Sequence, residues 1–284
     1  MSKTGIVILN YNDYETTINM LNSIKDYDSL DHIVVVDNKS TDNSYEVLKP
    51  YESKKIDVIQ SKSNKGYSYG NNVGIKYLLD NYNVDYVIIS NPDITVENET
   101  IKLLSKELDK NDNIKLIAPV IHELGGLKKG WKLPTYYGEI ITICNTKQRF
   151  HKNYGLYDDN HYNDLLSKVD VVSGCFFMIR SDVLKEINYF DEGTFLYYEE
   201  NILGHILKDK GYDSYILNDT YVTHNLSVSV DKSIKKIKKF KILVKSLMYY
   251  ENKYNKRNIF SMAFLSVLYY ISLVIAYIKN IFKR

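Results

Sequence analysis

The chain has little that would tie it to a covalent framework or to a polyanion. It holds only two cysteines in 284 residues, Cys144 and Cys175, too few and too far apart for a disulfide scaffold or a zinc site. Both read as packed thiols in a reducing compartment. Charge is nearly balanced, with a formal net of +2 at pH 7, and that argues against a nucleic-acid partner. The glycine-bearing segment 64–74 lacks a Gly-Lys-Ser/Thr ending, and no Gly-x-Gly-x-x-Gly follows the first apolar run, so P-loop and dinucleotide-binding functions are excluded. Met1-Ser2-Lys3-Thr4 leads straight into an apolar run without room for a signal peptide, so the catalytic part is expected in the cytoplasm. What remains is a globular balance, 44% apolar and 25% charged, sized for one large α/β domain and a small appendage.

What the chain does have is a series of apolar runs that each stop at polar residues. Gly5–Leu9 stops at Asn10-Tyr11-Asn12, Ile33–Val36 at Asp37-Asn38, and Tyr86–Ser90 at Asn91-Pro92-Asp93, while Ile56–Ile59 leads into Ser63-Asn64-Lys65-Gly66. Helical spacing fills the intervals, as in Tyr14–Ile24 and Tyr69–Leu79, and the alternation predicts a mostly parallel sheet with right-handed crossovers and the strand ends on one edge. Ligands bind beyond the carboxyl ends of such strands. Asp93 then stands where a metal ion and a phosphate meet, although Asn-Pro-Asp is also an ordinary turn. Asp37 and Asn38 can offer a carboxylate and an amide to a base or ribose, while residues 38–42 serve equally as a helix cap. Gly66, Gly70 and Gly74 allow either close backbone approach to a nucleotide or tight packing of the helix on the sheet.

Further along, Val171–Arg180 reads as a buried strand with a close backbone approach at Gly174. In Phe190–Asn201, aromatic residues adjoin the paired carboxylates Glu199 and Glu200. Such surroundings raise a carboxyl pKa toward the range of a general base, whereas the alternative is two solvated first-turn residues of a helix running to Lys210. His224 can ligate Mn²⁺ or Mg²⁺, hydrogen-bond a phosphate oxygen, or simply be structural. Residues 121–168 are the least readable stretch, in which Trp131 and Tyr136 either stack on a ligand or fill a partly buried niche.

Taken in order, Asn10-Tyr11-Asn12, Val36-Asp37-Asn38 with Ser40 and Asp42, Asn64-x-Gly66 to Asn72-x-Gly74, Asn91-Pro92-Asp93, Ser173-Gly174 and Phe190-Asp191-Glu192…Tyr198-Glu199-Glu200 resemble glycosyltransferase family 2, especially its rhamnosyltransferase-like bacterial branch. The likeness spans roughly residues 4–226. It implies a GT-A fold, a nucleotide-sugar donor, and Mg²⁺ or Mn²⁺ held by a shortened Asp-x-Asp motif, with Asp93 and His224 as ligands. It implies donor contacts from Asn10, Asn12, Asp37, Asn38, Asn64, Gly66, Asn72 and Asn91, and acceptor contacts from Gly174, Asp191, Tyr198, Glu199 and Trp131. Glu200 falls where the family usually has the Asp of a Glu-Asp pair, its catalytic base, and Ile202 stands where a further acidic residue often occurs. The implied activity is inverting transfer of a sugar to a glycan or lipid-linked acceptor in cell-surface polysaccharide synthesis, of the hexosyl or rhamnosyl type. A nucleotidyl transferase would want a basic glycine-rich loop where Asn10–Asp13 stands, and a catalytically silent, membrane-tethered subunit that binds the nucleotide sugar is the other alternative.

The expected organisation is a GT-A domain at 1–230, with a nucleotide-sugar half at 1–120 and an acceptor half at 121–230, followed by an appendage at 231–284. Ile259–Ile278 gives 20 uncharged residues, close to the roughly 20 that cross a bilayer. Lysines crowd Lys232–Lys245, a pattern suited to an anionic membrane surface. The appendage is therefore expected at the cytoplasmic face of the membrane, spanning or lying on it, with packing on the domain or on a second copy as the alternative.

Overall fold

The computed structural model describes residues 2–144, 153–225 and 236–281. The four apolar runs form β1 (Thr4–Asn10), β2 (His32–Asp37), β3 (Ile56–Gln60) and β4 (Tyr86–Ser90), all parallel and ordered β3-β2-β1-β4. Helices α1 (Tyr14–Ile24), α2 (Ser44–Leu48) and α3 (Tyr67–Asn81) are the crossovers. In β1 successive side chains alternate faces, so Ile6 and Ile8 pack with Met20 and Leu21 of α1 while Val7 packs with Ile75 and Leu78 of α3. Burial on both faces is why the runs are continuous rather than alternating.

Beyond β4 the sheet becomes mixed. The remaining elements are β5 (Ile94–Thr95), α4 (Asn98–Lys110), β6 (Ile114–Glu123), β7 (Gly126–Lys128), α5 (Tyr136–Ile143), β8 (Leu166–Val169), β9 (Phe176–Arg180), α6 (Ser181–Glu186), α7 (Glu199–Asp209), β10 (Asp213–His224), α8 (Lys236–Lys253) and α9 (Ile259–Ile281). The sheet continues β4-β9-β6-β10-β5, with β9 antiparallel to both its neighbours and β10 parallel to β6. The expected strand from Val171 starts only at Phe176, because Val171 bridges to Trp131 and leaves Ser173-Gly174 as a loop. The short antiparallel pair β5–β10 sets His224 opposite Ile94 and so beside Asp93.

The C-terminal segment is not a detached appendage. Val244, Leu247 and Tyr250 of α8 and Leu265 of α9 share a core cluster with Ile143 of α5 and with Tyr198 and Ile202 at the start of α7. The turn between α8 and α9 is pinned by buried Glu251, which pairs with Arg257 at 2.7 Å, and the Arg257 guanidinium lies over the Tyr136 ring. The expected division at 120/121 likewise falls inside β6. Of the basic segment, Lys232 and Lys235 lie outside the described residues.

Candidate active site

The ends of β1 and β2 are paired, Asn10 opposite Asp37, and the first group of polar side chains is built on that register. Asp37 is fully buried, and a buried carboxylate without a cation must be met by donors. Asn10 Nδ2 donates to its Oδ1 at 3.0 Å, Gln60 Nε2 to its Oδ2 at 2.9 Å, and the Ser40 hydroxyl and amide complete the set. Asp37, expected at the nucleotide base, therefore spends its oxygens on the protein and shapes the crevice through Ser40 and Gln60. Asn12, left-handed at φ 54°, uses its amide group on Thr41.

Asn38 donates to Asn64 Oδ1 and to the Gly66 carbonyl, both at 3.2 Å, joining the second and third strand ends. Gly66 opens α3 at φ 112°, and a Cβ there would overlap the backbone of Phe195. Its glycine thus serves the close approach of two loops of the protein. Gly66→Ala is expected to destabilise the fold by about 2–4 kcal/mol through strain and overlap together, read as a lowered urea midpoint. Asn72, expected to touch the donor, is buried in α3 and exchanges hydrogen bonds with the Phe190 backbone, 2.8 Å from Nδ2 to O and 2.9 Å from N to Oδ1. It secures the loop that leads to the acidic pair.

At the end of β10, His224 Nε2 lies 3.1 Å from Asp93 Oδ2 and its Nδ1 lies 2.8 Å from Glu123 Oε1. Glu123 in turn pairs with Lys128 at 2.7 Å. Burial works against an imidazolium, but the hydrogen bonds to Asp93 and Glu123 outweigh it and hold the His224 pKa above its ordinary value. Burial alone would raise the Glu123 carboxyl, yet Lys128 and His224 hold it below the usual range. Among the described residues no three His, Cys, Asp or Glu side chains converge as a ready metal cage. The protein's own contribution is one carboxylate oxygen and one imidazole nitrogen side by side, a donor set suited to Mn²⁺ or Mg²⁺ when a diphosphate supplies further oxygens.

The acidic pair meets this group through one turn of chain. The Asn91 amide donates to the Cys175 carbonyl at 2.9 Å, and the neighbouring Gly174 amide reaches Glu200 Oε1 at 3.4 Å. An added Cβ at Gly174 would lie 3.1 Å from that same Oε1, so the glycine lets the carboxylate seat against backbone. Enclosure raises the Glu200 pKa, opposed by its backbone donors and by the charge of Lys128. Glu199 is pushed much higher, by burial and then by Glu200, and its Oε2 has no hydrogen-bond partner among the described residues. Both carboxyls are raised by burial, and only Glu200 has backbone donation from Gly174 and the charge of Lys128 acting against that rise. Cys175, behind the turn, is a buried thiol whose pKa burial pushes up to about 12, in keeping with a packing role.

Three expected acceptor contacts are occupied elsewhere. Asp191 accepts from Lys253 Nζ at 2.7 Å and from Tyr249 and Tyr254 of the C-terminal region. Tyr198 is buried with its hydroxyl on Glu139, and Trp131 donates to Asn201 Oδ1 at 2.9 Å. Glu123 and Lys128 went unnoticed in the sequence, although His122-Glu123 closes an apolar run in the same way as the other strand ends.

The chain matches the family model "Glycosyl transferase family 2" over residues 5–188. It is 32% identical over 199 residues to the low-salt glycan biosynthesis hexosyltransferase Agl10 of Haloferax volcanii, a match covering 69% of this chain and 58% of that protein. The chain thus spans little more than half the length of that relative. Among solved structures, GalNAc-T7 with UDP, GalNAc and Mn²⁺ superposes with a TM-score of 0.61 at 14% identity, over 79% of this chain and 44% of that one. Staphylococcus aureus TarS 1–349 in complex with UDP-GlcNAc superposes at 0.58 and 16% identity, over 94% and 70% of the two chains. These likenesses establish the GT-A fold, and with the family match they place this chain in glycosyl transferase family 2.

Proposed function

We propose that the protein transfers a sugar, with inversion, from a nucleoside-diphosphate sugar to a hydroxyl of a lipid-linked saccharide in cell-surface polysaccharide synthesis. The observation that carries this reading is the link from Asp93 and His224 through the Asn91–Cys175 hydrogen bond to Glu200 at Gly174. It supports a base at Glu200 close to a site for a departing diphosphate. The acceptor oxygen attacks the anomeric carbon, the bond from that carbon to the phosphate oxygen breaks with its electron pair leaving on the nucleoside diphosphate, and the hydroxyl proton passes to Glu200. Asp93 and His224 would hold Mg²⁺ or Mn²⁺, and Glu123 would keep the Nδ1 proton in place so that Nε2 faces the ion. A bound divalent ion supplies neutralisation of charge on the leaving diphosphate. Support for a nucleotide-sugar donor comes from the UDP and UDP-GlcNAc held by the structural neighbours. The test is release of nucleoside diphosphate from UDP-, dTDP- and GDP-sugars with and without Mn²⁺, followed by NMR of the product anomer. Retention of configuration would remove the single-displacement mechanism, and no release from any donor would favour a silent binding subunit.

Attachment to the cytoplasmic face of the membrane is supported by α9. Its inner stripe carries Ser261, Ser266 and Ser272, while Phe260, Phe264, Val267, Ile271, Val274 and Ile278 are exposed on the outside. The inner side also carries buried Leu265, so the helix packs one side on the domain and leaves a second apolar face outward. Lys241 of α8 lies 5.5 Å from the Tyr277 ring, so α8 runs alongside α9, and a spanning α9 would draw charged residues of α8 into the bilayer, at about 2.5–3.5 kcal/mol for each one near its centre. A helix lying in the interface avoids that cost. Phe264→Asp/Ile271→Asp is expected to abolish flotation with anionic liposomes while leaving the fold intact; variants that still float would overturn the membrane reading, and loss of a dimer in sedimentation would assign the face to a second copy.

A further inference from the structure

The loop from Phe190 to Tyr198 delivers Glu199 and Glu200, and it is gripped from both sides. On the donor side α3 holds it through Asn72 at Phe190 and through the Tyr67 amide, which donates to the Phe195 carbonyl at 2.9 Å. On the other side α8 holds it at four places in succession. Asp191 accepts from Tyr249, at 2.8 and 3.0 Å, and from Lys253 at 2.7 Å, and Tyr254, just past the end of α8, adds its hydroxyl. The Tyr249 ring sits over Gly193, where any Cβ would overlap it. The Ser246 hydroxyl donates to the Leu196 carbonyl at 2.8 Å. Finally, the Tyr198 ring packs at 5.7 Å on Tyr250.

This grip coincides with backbone that would not hold its shape unaided. Tyr197 and Tyr198, immediately before the acidic pair, are both left-handed, at φ 70° and 72°. For side chains with a Cβ such conformations cost about 1–3 kcal/mol each and persist only where surroundings enforce them. A largely buried carboxylate ringed by an ammonium and phenols is also a weak way to gain stability, since an apolar contact of the same volume does as well. What it supplies is a fixed direction. Burial opposes the charge on Asp191, but Lys253, the phenols and the Gly193 amide keep its carboxyl ionised and below its ordinary range.

We propose that Asp191, Tyr249, Lys253 and Tyr254 form a positioning clasp for the catalytic base, through which the C-terminal hairpin of α8 and α9 governs turnover and not only attachment. The inference rests on Glu200 being the base. The hydrogen bonds of the clasp run to Asp191 and those of Asn10 and Asp37 to each other, so loosening the clasp is expected to act on Glu200 more than on the nucleotide crevice.

The test uses the full chain with Asp191→Ala, Tyr249→Phe/Tyr254→Phe and, as the mildest change, Tyr254→Phe alone. Turnover is followed as nucleoside diphosphate released from UDP-GlcNAc, UDP-glucose, dTDP-rhamnose and GDP-mannose in parallel, and nucleotide affinity by calorimetry with UDP and Mn²⁺. The expected result is a fall in kcat of about tenfold to a hundredfold for Asp191→Ala and the double variant, as for a misplacement of about 1 Å, with donor KM and UDP affinity within about twofold. Tyr254→Phe, which keeps the ring and the fold, is expected to fall in between. Folded variants with unchanged kcat would overturn the proposal, as would a rise in KM at constant kcat. Glu200→Gln separates the two readings: if it retains turnover the base assignment fails, whereas an inactive Glu200→Gln beside a normal Asp191→Ala sinks the clasp alone.

Discussion

Glu200→Gln is expected to lower turnover by about 10²-fold or more, the usual range for removing a general base, while the fold and the affinity for UDP stay as they are. The amide keeps the volume of the carboxylate and still offers an oxygen to the Gly174 amide, so nothing but the proton-accepting lone pair is withdrawn. Burial, and then the neighbouring Glu200, raise the Glu199 carboxyl further above the ordinary range, which makes it the poorer base. In the wild type, kcat should rise with pH through a value above the ordinary glutamate range, because Glu200 works only when ionised and its enclosure raises its pKa. The same shift has a stability consequence of opposite sense. A carboxyl whose pKa is raised on folding favours the folded state at low pH, and that contribution is lost as pH rises from the unfolded value through the folded one. Glu200→Gln removes the loss, so its Tm at pH 7 should equal or exceed that of the wild type. Near-normal turnover in the variant would move the base to Glu199.

The parallel half of the sheet was legible because burial on both faces writes a continuous apolar run, and Tyr14–Ile24 and Tyr86–Ser90 coincide with α1 and β4 residue for residue. The ends of those runs also identified Asn10 and Asp37 as neighbours, since strand register alone sets them opposite each other. What the sequence does not carry is which polar partner a side chain finds at long range. Asp191 and Asn72 were plausible ligand contacts until Tyr249, Lys253 and the Phe190 backbone claimed them across 58 to 118 positions of chain. The C-terminal helix is the reverse case. Its serines weaken the average apolar signal, but the average hides that Ser261, Ser266 and Ser272 share the inner face. Deleting residues 232–284 would for the same reason be a poor test of attachment, because it would strip the clasp and the core that α8 and α9 share with α5 and α7 along with the outer stripe.

Asp93→Asn is expected to abolish the gain in UDP affinity that Mn²⁺ provides. A diphosphate brings concentrated negative charge to these strand ends, where Lys128, the lysine next to His224's partner Glu123, is already paired with that carboxylate. In the proposed mechanism a divalent ion would meet that charge, held by Asp93 Oδ2 and His224 Nε2, which lie 3.1 Å apart. Asparagine keeps the shape and one oxygen but removes the charge, so UDP binding without metal should change little while the increment on adding Mn²⁺ disappears. Glu123→Gln should cost less, about tenfold to a hundredfold in apparent Mn²⁺ affinity, because it loosens the tautomer and orientation of His224 without touching the ion. Calorimetry of UDP with wild type and both variants, each with and without Mn²⁺, distinguishes these effects, and an equal Mn²⁺ increment in wild type and Asp93→Asn would remove Asp93 from the metal site.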